Sequence, residues 1–127
     1  MSDTKDKLDE MFMLRERFMS AIRESQPEEY PAWPIDLGDK ASQQHARDLV
    51  LRGVEEMFEA LQHLKNWKPH RQTEVRDFDR SEFVEEMVDA FNYFLSVLIL
   101  TGVTSEELHQ MYRKKDSIIH DRLQTGY

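Results

Sequence analysis

The sequence predicts an all-α protein whose single domain, residues 1–127, resembles a four-helix bundle. Apolar residues recur every three or four positions along four stretches, and this spacing places them on one face of a helix. No stretch alternates apolar and polar residues as a half-buried strand does, and the chain has no internal repeat or low-complexity tract. A chain of this length can bury one hydrophobic core, so we expect one domain.

The first predicted helix runs from about Thr4 to Glu24, where an apolar stripe has one polar member, Arg15. The apolar members of this stripe are Leu8, Met11, Phe12, Phe18, Met19 and Ile22. Such a stripe is typical of a helix that packs one side against a core.

A loop is expected over residues 25–40, because this segment contains Gly38 and the three prolines Pro27, Pro31 and Pro34. Proline removes a hydrogen-bond donor and clashes with the preceding turn of a helix. We expect the loop's aromatic residues, Tyr30 and Trp33, to pack onto the helices.

The second predicted helix begins near Ser42 and ends before Pro69. Its apolar face consists of Ala46, Leu49, Val50, Gly53, Met57, Ala60, Leu61 and Leu64. A polar connection over residues 69–79 then leads to the third predicted helix.

The third predicted helix spans about Glu82 to Thr101 and is stopped by Gly102, since glycine readily adopts the left-handed conformation that ends many helices. The fourth opens at Thr104 with the capping-box pattern Thr-Ser-Glu-Glu and runs to about Arg122. Its apolar residues are Leu108, Met111, Tyr112, Ile118 and Ile119.

Composition excludes several classes of function. The formal net charge of −8 disfavours broad binding to nucleic acid or to anionic lipid, since both reward a basic surface. The absence of cysteine excludes disulfides and thiolate metal sites. The N-terminus lacks the apolar core of a signal peptide, and the apolar run over residues 91–103 is too short to cross a bilayer. We therefore expect a soluble, cytoplasmic protein.

Two acidic clusters on successive predicted helices suggest a metal site. The second helix carries Glu55, Glu56 and Glu59, and the third carries Glu85, Glu86 and Asp89. Residues three or four apart lie on the same side of a helix, so each cluster forms one acidic patch. The third helix is otherwise almost entirely apolar and we expect it to be buried, which makes uncompensated carboxylates costly. A divalent cation removes that cost, and ligands that are all oxygen favour Mg²⁺, Mn²⁺ or Ca²⁺.

A spacing of Glu-x-x-Glu on a helix is more often a solvated face than a metal site. The pairing of two such clusters on neighbouring helices is what favours the metal site. The five histidines show no zinc-type spacing, so we do not expect histidine ligands.

The chain resembles the all-α nucleoside triphosphate pyrophosphohydrolases, which include MazG-type enzymes and the dimeric dUTPases. The shared pattern is E-x-x-E on one helix and E-x-x-D on the next. Here it reads Glu55-Glu-Met-Phe-Glu59 and Glu85-Glu-Met-Val-Asp89. Lys65-Asn-Trp-Lys68 and the segment from Tyr112 to Arg122, followed by the terminal Gly-Tyr, are similar to the dimeric dUTPase branch.

The resemblance implies a role for each matching residue. Glu56, Glu59, Glu86 and Asp89 would ligate Mg²⁺, with Mn²⁺ as an alternative, and Glu55 would be a further ligand or the general base, so that Glu55 and Glu56 are the catalytic carboxylates. The phosphates would meet Lys65, Lys68, Lys115 and Arg122.

Two further residues have alternative interpretations. Trp67 could stack on a nucleobase or simply pack at a helix end. Asn92 could ligate metal, bond a phosphate or form a buried polar cross-link.

Three departures from the dUTPase branch argue against strict dUTP specificity. Asp116 and Ile119 stand where that branch usually has Asn, and Arg15 stands where it has Gln. Amides at these positions serve base and sugar recognition in that branch, because an amide both donates and accepts hydrogen bonds.

The expected function is hydrolysis of a nucleoside triphosphate, in particular a deoxynucleotide, to the monophosphate and pyrophosphate. A strict dUTPase, a di-iron bundle and a non-enzymatic helical interaction module are the alternatives. The di-iron class normally needs Glu-x-x-His on two helices, whereas this chain offers one, Glu106 to His109. A third helix that is apolar nearly all round predicts a homodimer or homotetramer with an oligomeric, MazG-like or dimeric-dUTPase-like architecture. We expect no stable nucleic-acid or membrane partner.

Overall fold

The computed structural model describes residues 6–126, and within them it contains four α-helices and no strand. The helices are α1 (Lys7–Ser25), α2 (Lys40–Leu61), α3 (Arg80–Leu100) and α4 (Ser105–Thr125), and a short 3-10 helix, Gln62–Leu64, extends α2. The predicted all-α fold is confirmed. The predicted start of the first helix, Thr4, and the terminal Tyr127 lie outside the described residues.

The chain divides into two compact units. Unit 1 combines the chain up to Ile35 with the chain from Leu98 onward, and unit 2 runs from Asp36 to Val97. Unit 1 therefore holds α1 and α4, whereas unit 2 holds α2 and most of α3. The single-domain organisation stays a prediction. No single helix of the described chain is both long and apolar enough to cross a bilayer.

Side-chain caps fix where three of the helices begin. The Asp39 carboxylate accepts hydrogen bonds from the backbone N–H and the hydroxyl of Ser42 at the start of α2. At α3, the Asp79 carboxylate accepts from the Glu82 N–H at 3.0 Å. The Thr104 hydroxyl accepts from the Glu107 N–H at 3.1 Å, as the capping-box pattern predicts. These bonds satisfy amides that have no partner inside a helix.

Gly102 ends α3, as predicted. Its φ is +82°, a conformation that other residues seldom adopt. A Cβ at this position would lie 3.0 Å from the Cβ of Pro34, so space also requires glycine. The adjoining chain is held by a hydrogen bond of 2.8 Å from the Ile35 N–H to the Leu100 carbonyl.

The loop after α1 is anchored by Tyr30, which is buried. The Arg15 guanidinium donates to the Tyr30 hydroxyl at 3.5 Å and lies over the Phe18 ring, 4.5 Å from its centroid. Arg15, the polar member of the α1 stripe, therefore holds the loop that follows its own helix. Trp33 is partly buried.

Helices α2 and α3 pair in antiparallel orientation. A Cβ on Gly53 would meet the Cβ of Tyr93 at 3.1 Å, and the ring of His63 contacts the edge of the Phe83 ring. Gly53 thus lies beside Tyr93, whereas Glu56 lies near Glu86 and Asp89, and His63, just beyond the end of α2, contacts Phe83 near the start of α3. Gly53 lacks a side chain at the place where the two helices approach closely.

The expectation that α3 is buried is wrong for much of the helix. Ala90, Leu95, Ser96, Ile99 and Leu100 are buried. In contrast, five large apolar residues have exposed fractions between 37% and 50%: Val84, Met87, Val88, Phe91 and Phe94. The described chain does not supply enough neighbouring surface to cover a helix that is apolar nearly all round.

Candidate metal centre

Three carboxylates of unit 2 converge between α2 and α3. They belong to Glu56, Glu86 and Asp89, and we call them the carboxylate triad. One oxygen from each can be chosen so that all three lie within 4.8 Å of one another. Glu56 and Glu86 are partly buried, whereas Asp89 is exposed. The triad is therefore open to solvent on the Asp89 side.

Helical spacing explains why Glu56 faces α3. Leu49, Gly53 and Ala60, all buried, lie four or three positions apart and share a stripe with Glu56. Gly53, one turn before Glu56, allows the two backbones to approach. On α3, the buried Ala90 lies one turn beyond Glu86. The same close packing that holds the hairpin together thus brings the carboxylates into contact.

The triad concentrates negative charge. Partial burial raises the pKa of Glu56 above its ordinary value of 4.5, and the charges of Asp89, Glu59, Glu86 and Glu55 raise that pKa further. Ion pairs within residues 6–126 include Arg52–Asp48, Arg76–Glu74 and His120–Asp116, and these three do not involve the triad. The cluster therefore favours a bound cation.

The donor set fits a hard divalent ion. Oxygen ligands on opposite sides of one Mg²⁺ are about 4.2 Å apart, and about 4.8 Å apart around Ca²⁺. The triad oxygens lie within 4.8 Å of one another, which is close enough for all three to be brought onto a single ion. Small side-chain rotations would suffice to hold such an ion, and its remaining positions would face solvent or substrate.

The other predicted acids lie beside the triad. Glu55, Glu59 and Glu85 are exposed, and the three-carboxylate group excludes them. Glu59 and Glu55 are near enough for their charges to raise the pKa of Glu56. The ligand role of Glu59 and the general-base role of Glu55 stay predictions.

A cavity of about 400 Å³ lies at the end of unit 2 where α2 connects to α3. Its lining includes Lys65 and Trp67, two of the predicted substrate-binding residues. Trp67 is 69% exposed, and the Lys68 ammonium lies 5.9 Å from the centroid of its ring. We call this the connection cavity. Its first lining residue, Gln62, follows Glu59 by three positions, so the cavity begins within one helical turn of the acidic cluster.

The connection cavity also has lining residues that we did not predict as site residues. These are Gln62, His63, Leu64, Asn66, Val75, Arg76, Asp77, Phe78 and Asp79. Arg76 pairs with the Glu74 carboxylate at 3.0 Å, and Asp77 has a φ of +54°. The one signal for Arg76 in the sequence is that basic residues, among them Lys68 and Arg71, follow the first acidic cluster. Nothing in residue spacing indicates that a polar connection folds back to enclose a cavity.

The remaining predicted substrate-binding residues are Asn92 in unit 2 and Lys115 and Arg122 in unit 1. Asn92 is partly buried, one turn beyond Asp89. Lys115 and Arg122 are exposed on α4 and belong to unit 1. Asp116 lies 3.6 Å from His120, so this departure from the dUTPase pattern has a neighbour one turn away on its own helix.

The raised pKa of Glu56 predicts how metal-free protein responds to pH. The folded chain holds this proton more tightly than the unfolded chain does. The resulting stabilisation is complete below the ordinary pKa of 4.5 and is lost as pH rises through the raised pKa. Melting temperatures measured from pH 4 to 7.5 should therefore fall more in wild type than in Glu56→Gln.

Saturating Mg²⁺ should reverse this loss at neutral pH in wild type. Ligand at one hundred times its dissociation constant stabilises a folded protein by about 2.7 kcal/mol. Glu56→Gln should show a much smaller Mg²⁺-induced shift. Parallel pH profiles for the two proteins, with equal Mg²⁺ shifts, would contradict the assignment of Glu56.

Comparison with known proteins gave no match: no protein-family model fits the chain, and no curated protein or solved structure is significantly similar to it.

Proposed function

We propose that the protein is a Mg²⁺-dependent, MazG-like nucleoside triphosphate pyrophosphohydrolase, with Mn²⁺ as an alternative metal. The observation that carries the proposal is the carboxylate triad, in which acids from two helices come together and their charges raise the pKa of Glu56. Carboxylates combined with substrate phosphates are the usual protein environment of Mg²⁺. The sequence resemblance supplies the reaction class.

Residues of unit 2 have distinct roles in the proposed reaction. Glu56, Glu86 and Asp89 would hold the ion, which when bound neutralises phosphate charge and acidifies a coordinated water. The Glu59 charge lies near Glu56, and Glu59 would be the fourth ligand of the ion. Asp89, the exposed member of the triad, would lie on the side where substrate binds. Glu55, exposed beside Glu56, would take the proton of the attacking water.

The proposed reaction consumes one water molecule and no other reactant. Water attacks the α-phosphorus, a new P–O bond forms, and the bond from that phosphorus to the bridging oxygen breaks. The products are the nucleoside monophosphate and pyrophosphate, and the proton lost by water is held by Glu55. Lys65 and Lys68 would stabilise the pyrophosphate charge as it develops. The phosphate-binding role of Lys115 and Arg122 rests on the sequence resemblance alone.

The connection cavity supports a nucleotide substrate. It begins within one turn of the acidic cluster, and its lining combines an exposed indole, an amide and two basic side chains: Trp67, Asn66, Lys65 and Arg76. An indole offers a surface on which any base can stack, while amides can bond to base edges. The cavity volume of about 400 Å³ is within the usual range for small-molecule sites.

A non-enzymatic helical interaction module is the second candidate, because α2 and α3 expose many large apolar side chains. On this interpretation the triad would be an acidic rim around a binding surface. The two functions differ in what they require of nucleotide. The enzyme must bind nucleotide in a metal-dependent way, whereas the module need not bind it at all.

Calorimetric titration and product analysis test the proposal together. A non-hydrolysable triphosphate should bind wild type in the presence of Mg²⁺, and adding a chelator should abolish the binding. A panel of canonical and modified nucleoside triphosphates should release pyrophosphate rather than orthophosphate. Turnover of dUTP alone would instead indicate a strict dUTPase, and the absence of both binding and turnover would favour the interaction module.

A further inference from the structure

Unit 1 contains a cavity of about 600 Å³ between α1 and the turn that joins α3 to α4. Its lining comes from one side of α1, from Trp33 in the loop after α1, and from residues 99 and 102–105. All of these residues belong to unit 1, whereas the carboxylate triad and the connection cavity belong to unit 2. We call it the α1 cavity. Its volume is within the usual range for small-molecule sites.

The inner part of the α1 cavity is apolar. Phe12 of α1 and Ile99 of α3, which both line it, are buried. Trp33 also lines the cavity and is partly buried. The chain just after Trp33 is held in place, because the Ile35 N–H donates a hydrogen bond of 2.8 Å to the Leu100 carbonyl. The cavity therefore offers an aromatic and aliphatic surface to the apolar part of a ligand.

The side of α1 that lines the cavity carries two carboxylates. Each residue turns a helix by about 100°, so Asp9, Glu16 and Ser20 project within about 40° of one another. Arg17 also lines the cavity, but it projects about 100° away from Glu16 and lies at the edge of this side. All four residues are exposed. The middle of the cavity mouth is therefore acidic.

The N-terminus of α4 also lines the cavity, but its side chains already have partners. The Thr104 hydroxyl accepts a hydrogen bond from the Glu107 N–H, and the Ser105 hydroxyl donates one to the Asp9 carboxylate. Asp9 thus occupies the place that an anionic ligand would take at the start of a helix. The bond from Ser105 orients this carboxylate and leaves its second oxygen for a ligand. The cavity is therefore suited to a cation.

We infer that the α1 cavity binds a linear diamine or polyamine. Asp9 and Glu16 are two helical turns apart, about 10.5 Å along the axis. Each carboxylate receives one ammonium group of the ligand in a charge-assisted hydrogen bond. The methylene chain between the two ammonium groups lies over Phe12 and beside the Trp33 indole. An ammonium group near the face of that indole gains a further cation–π attraction.

Charge and spacing favour this ligand over other cations. The formal net charge of −8 attracts cations in general. Asp9 and Glu16 are too far apart to share one metal ion, whose oxygen ligands lie about 2.0–2.6 Å from it. A metal ion would also make no use of the apolar lining. A monoamine meets only one of the two carboxylates, whereas a diamine or polyamine meets both.

Calorimetric titration of the full chain with spermidine tests this inference. The ionic strength is set at about 0.15 M, where charges more than about 8 Å apart are largely screened. Wild type should bind spermidine saturably, and Glu16→Gln should raise the dissociation constant about three- to fivefold, as expected for an exposed ion pair. Hexylamine, which lacks the second ammonium group, should bind wild type more weakly by a similar factor.

Glu10→Gln is the matched control, because Glu10 is exposed on α1 and does not line the cavity. It removes the same charge from the same helix and should leave the spermidine dissociation constant nearly unchanged. Asp89→Asn tests whether spermidine binds the carboxylate triad instead, and this variant should bind spermidine as tightly as wild type. Equal weakening by Glu16→Gln and Glu10→Gln, or loss of binding in Asp89→Asn, would overturn the proposal.

Tryptophan fluorescence gives a second readout that locates the ligand. The chain has two tryptophans, so Trp33 is the only indole in a Trp67→Phe variant. Spermidine should change the Trp33 emission of this variant with the dissociation constant that calorimetry gives. In Trp33→Phe, the emission of Trp67 should not respond. A wild type that binds no spermidine, or a Trp33 emission that stays constant at saturating spermidine, would contradict a polyamine site in the α1 cavity.

Discussion

Replacing Asp89 by asparagine is expected to lower Mg²⁺-dependent pyrophosphate release at least 100-fold and to raise the melting temperature of the metal-free protein by about 1–3 °C. Activity falls because an amide is a weaker ligand for a hard cation than a carboxylate. Stability rises because one of three mutually repelling charges is removed, an effect of a few tenths of a kcal/mol. Steady-state kinetics and calorimetric melting with a chelator measure the two effects.

Glu85→Gln is the control for this experiment, since Glu85 precedes the triad residue Glu86 but is exposed and lies outside the triad. It should change turnover less than twofold. A Glu59→Gln variant measured alongside tests whether Glu59 is a metal ligand. The family resemblance implies that it is, whereas the three-carboxylate group does not include it. If Asp89→Asn keeps wild-type activity, the triad does not hold the catalytic metal.

Replacing Gly53 by leucine is expected to destabilise the protein by about 2–4 kcal/mol and to remove Mg²⁺ binding. Even a Cβ at this position would lie 3.1 Å from the Tyr93 Cβ and 3.5 Å from the Ala90 carbonyl oxygen. A leucine must therefore push α2 away from α3, and Glu56 lies only one turn further along. Urea denaturation gives the stability change, and a Mg²⁺ titration gives the loss of the site.

Two control variants accompany Gly53→Leu. Gly53→Ala places a smaller side chain at the same position, and Ala41→Leu places a leucine at an exposed position of the same helix. Alanine gains about 1 kcal/mol of helix propensity over glycine, which offsets part of the close contact, so Gly53→Ala should cost much less than Gly53→Leu. Ala41 is exposed in the first turn of α2, and enlarging it should change stability by no more than about 0.5 kcal/mol. A Gly53→Leu protein with wild-type stability would show that α2 and α3 do not need close packing.

The helices could be predicted because their signals are local. A proline-rich segment separates α1 from α2, Thr104 and Glu107 form the predicted cap of α4, and Gly102 stops α3 where a left-handed residue is required. The predicted start of α2 is two residues late, since Asp39 caps the helix before Ser42. Its predicted end, before Pro69, is several residues late, since α2 ends at Leu61 and the 3-10 helix at Leu64. Capping by a side chain that precedes the apolar stripe is easily missed.

The candidate site could be predicted in part. Two of the predicted carboxylates on α3 and one on α2 converge, because helical spacing fixes which side of each helix they occupy. The exact partner of each carboxylate depends on how close the helix axes come, and only Gly53 gives a local hint of that distance. The connection cavity was missed because the path of a polar segment depends on tertiary contacts.

The exposure of α3 was predicted wrongly for a related reason. An apolar residue count indicates how much surface a helix must bury, but it does not indicate whether the same chain supplies the cover. Val84 and Phe91 satisfy the helical pattern of a core residue and still remain exposed. The apolar pattern of α3 therefore predicts its helical conformation better than its burial.

The antiparallel register of α2 and α3 has a consequence for how this protein could diversify. Gly53 and Tyr93 set that register at some distance from the segment that joins the two helices. Residues 65–79 can therefore be lengthened, shortened or exchanged without shifting Glu56 relative to Glu86. Under the proposed function, grafting this segment from another hairpin would alter which nucleotides are accepted while the acidic groups keep their positions, so that selectivity and chemistry would evolve independently.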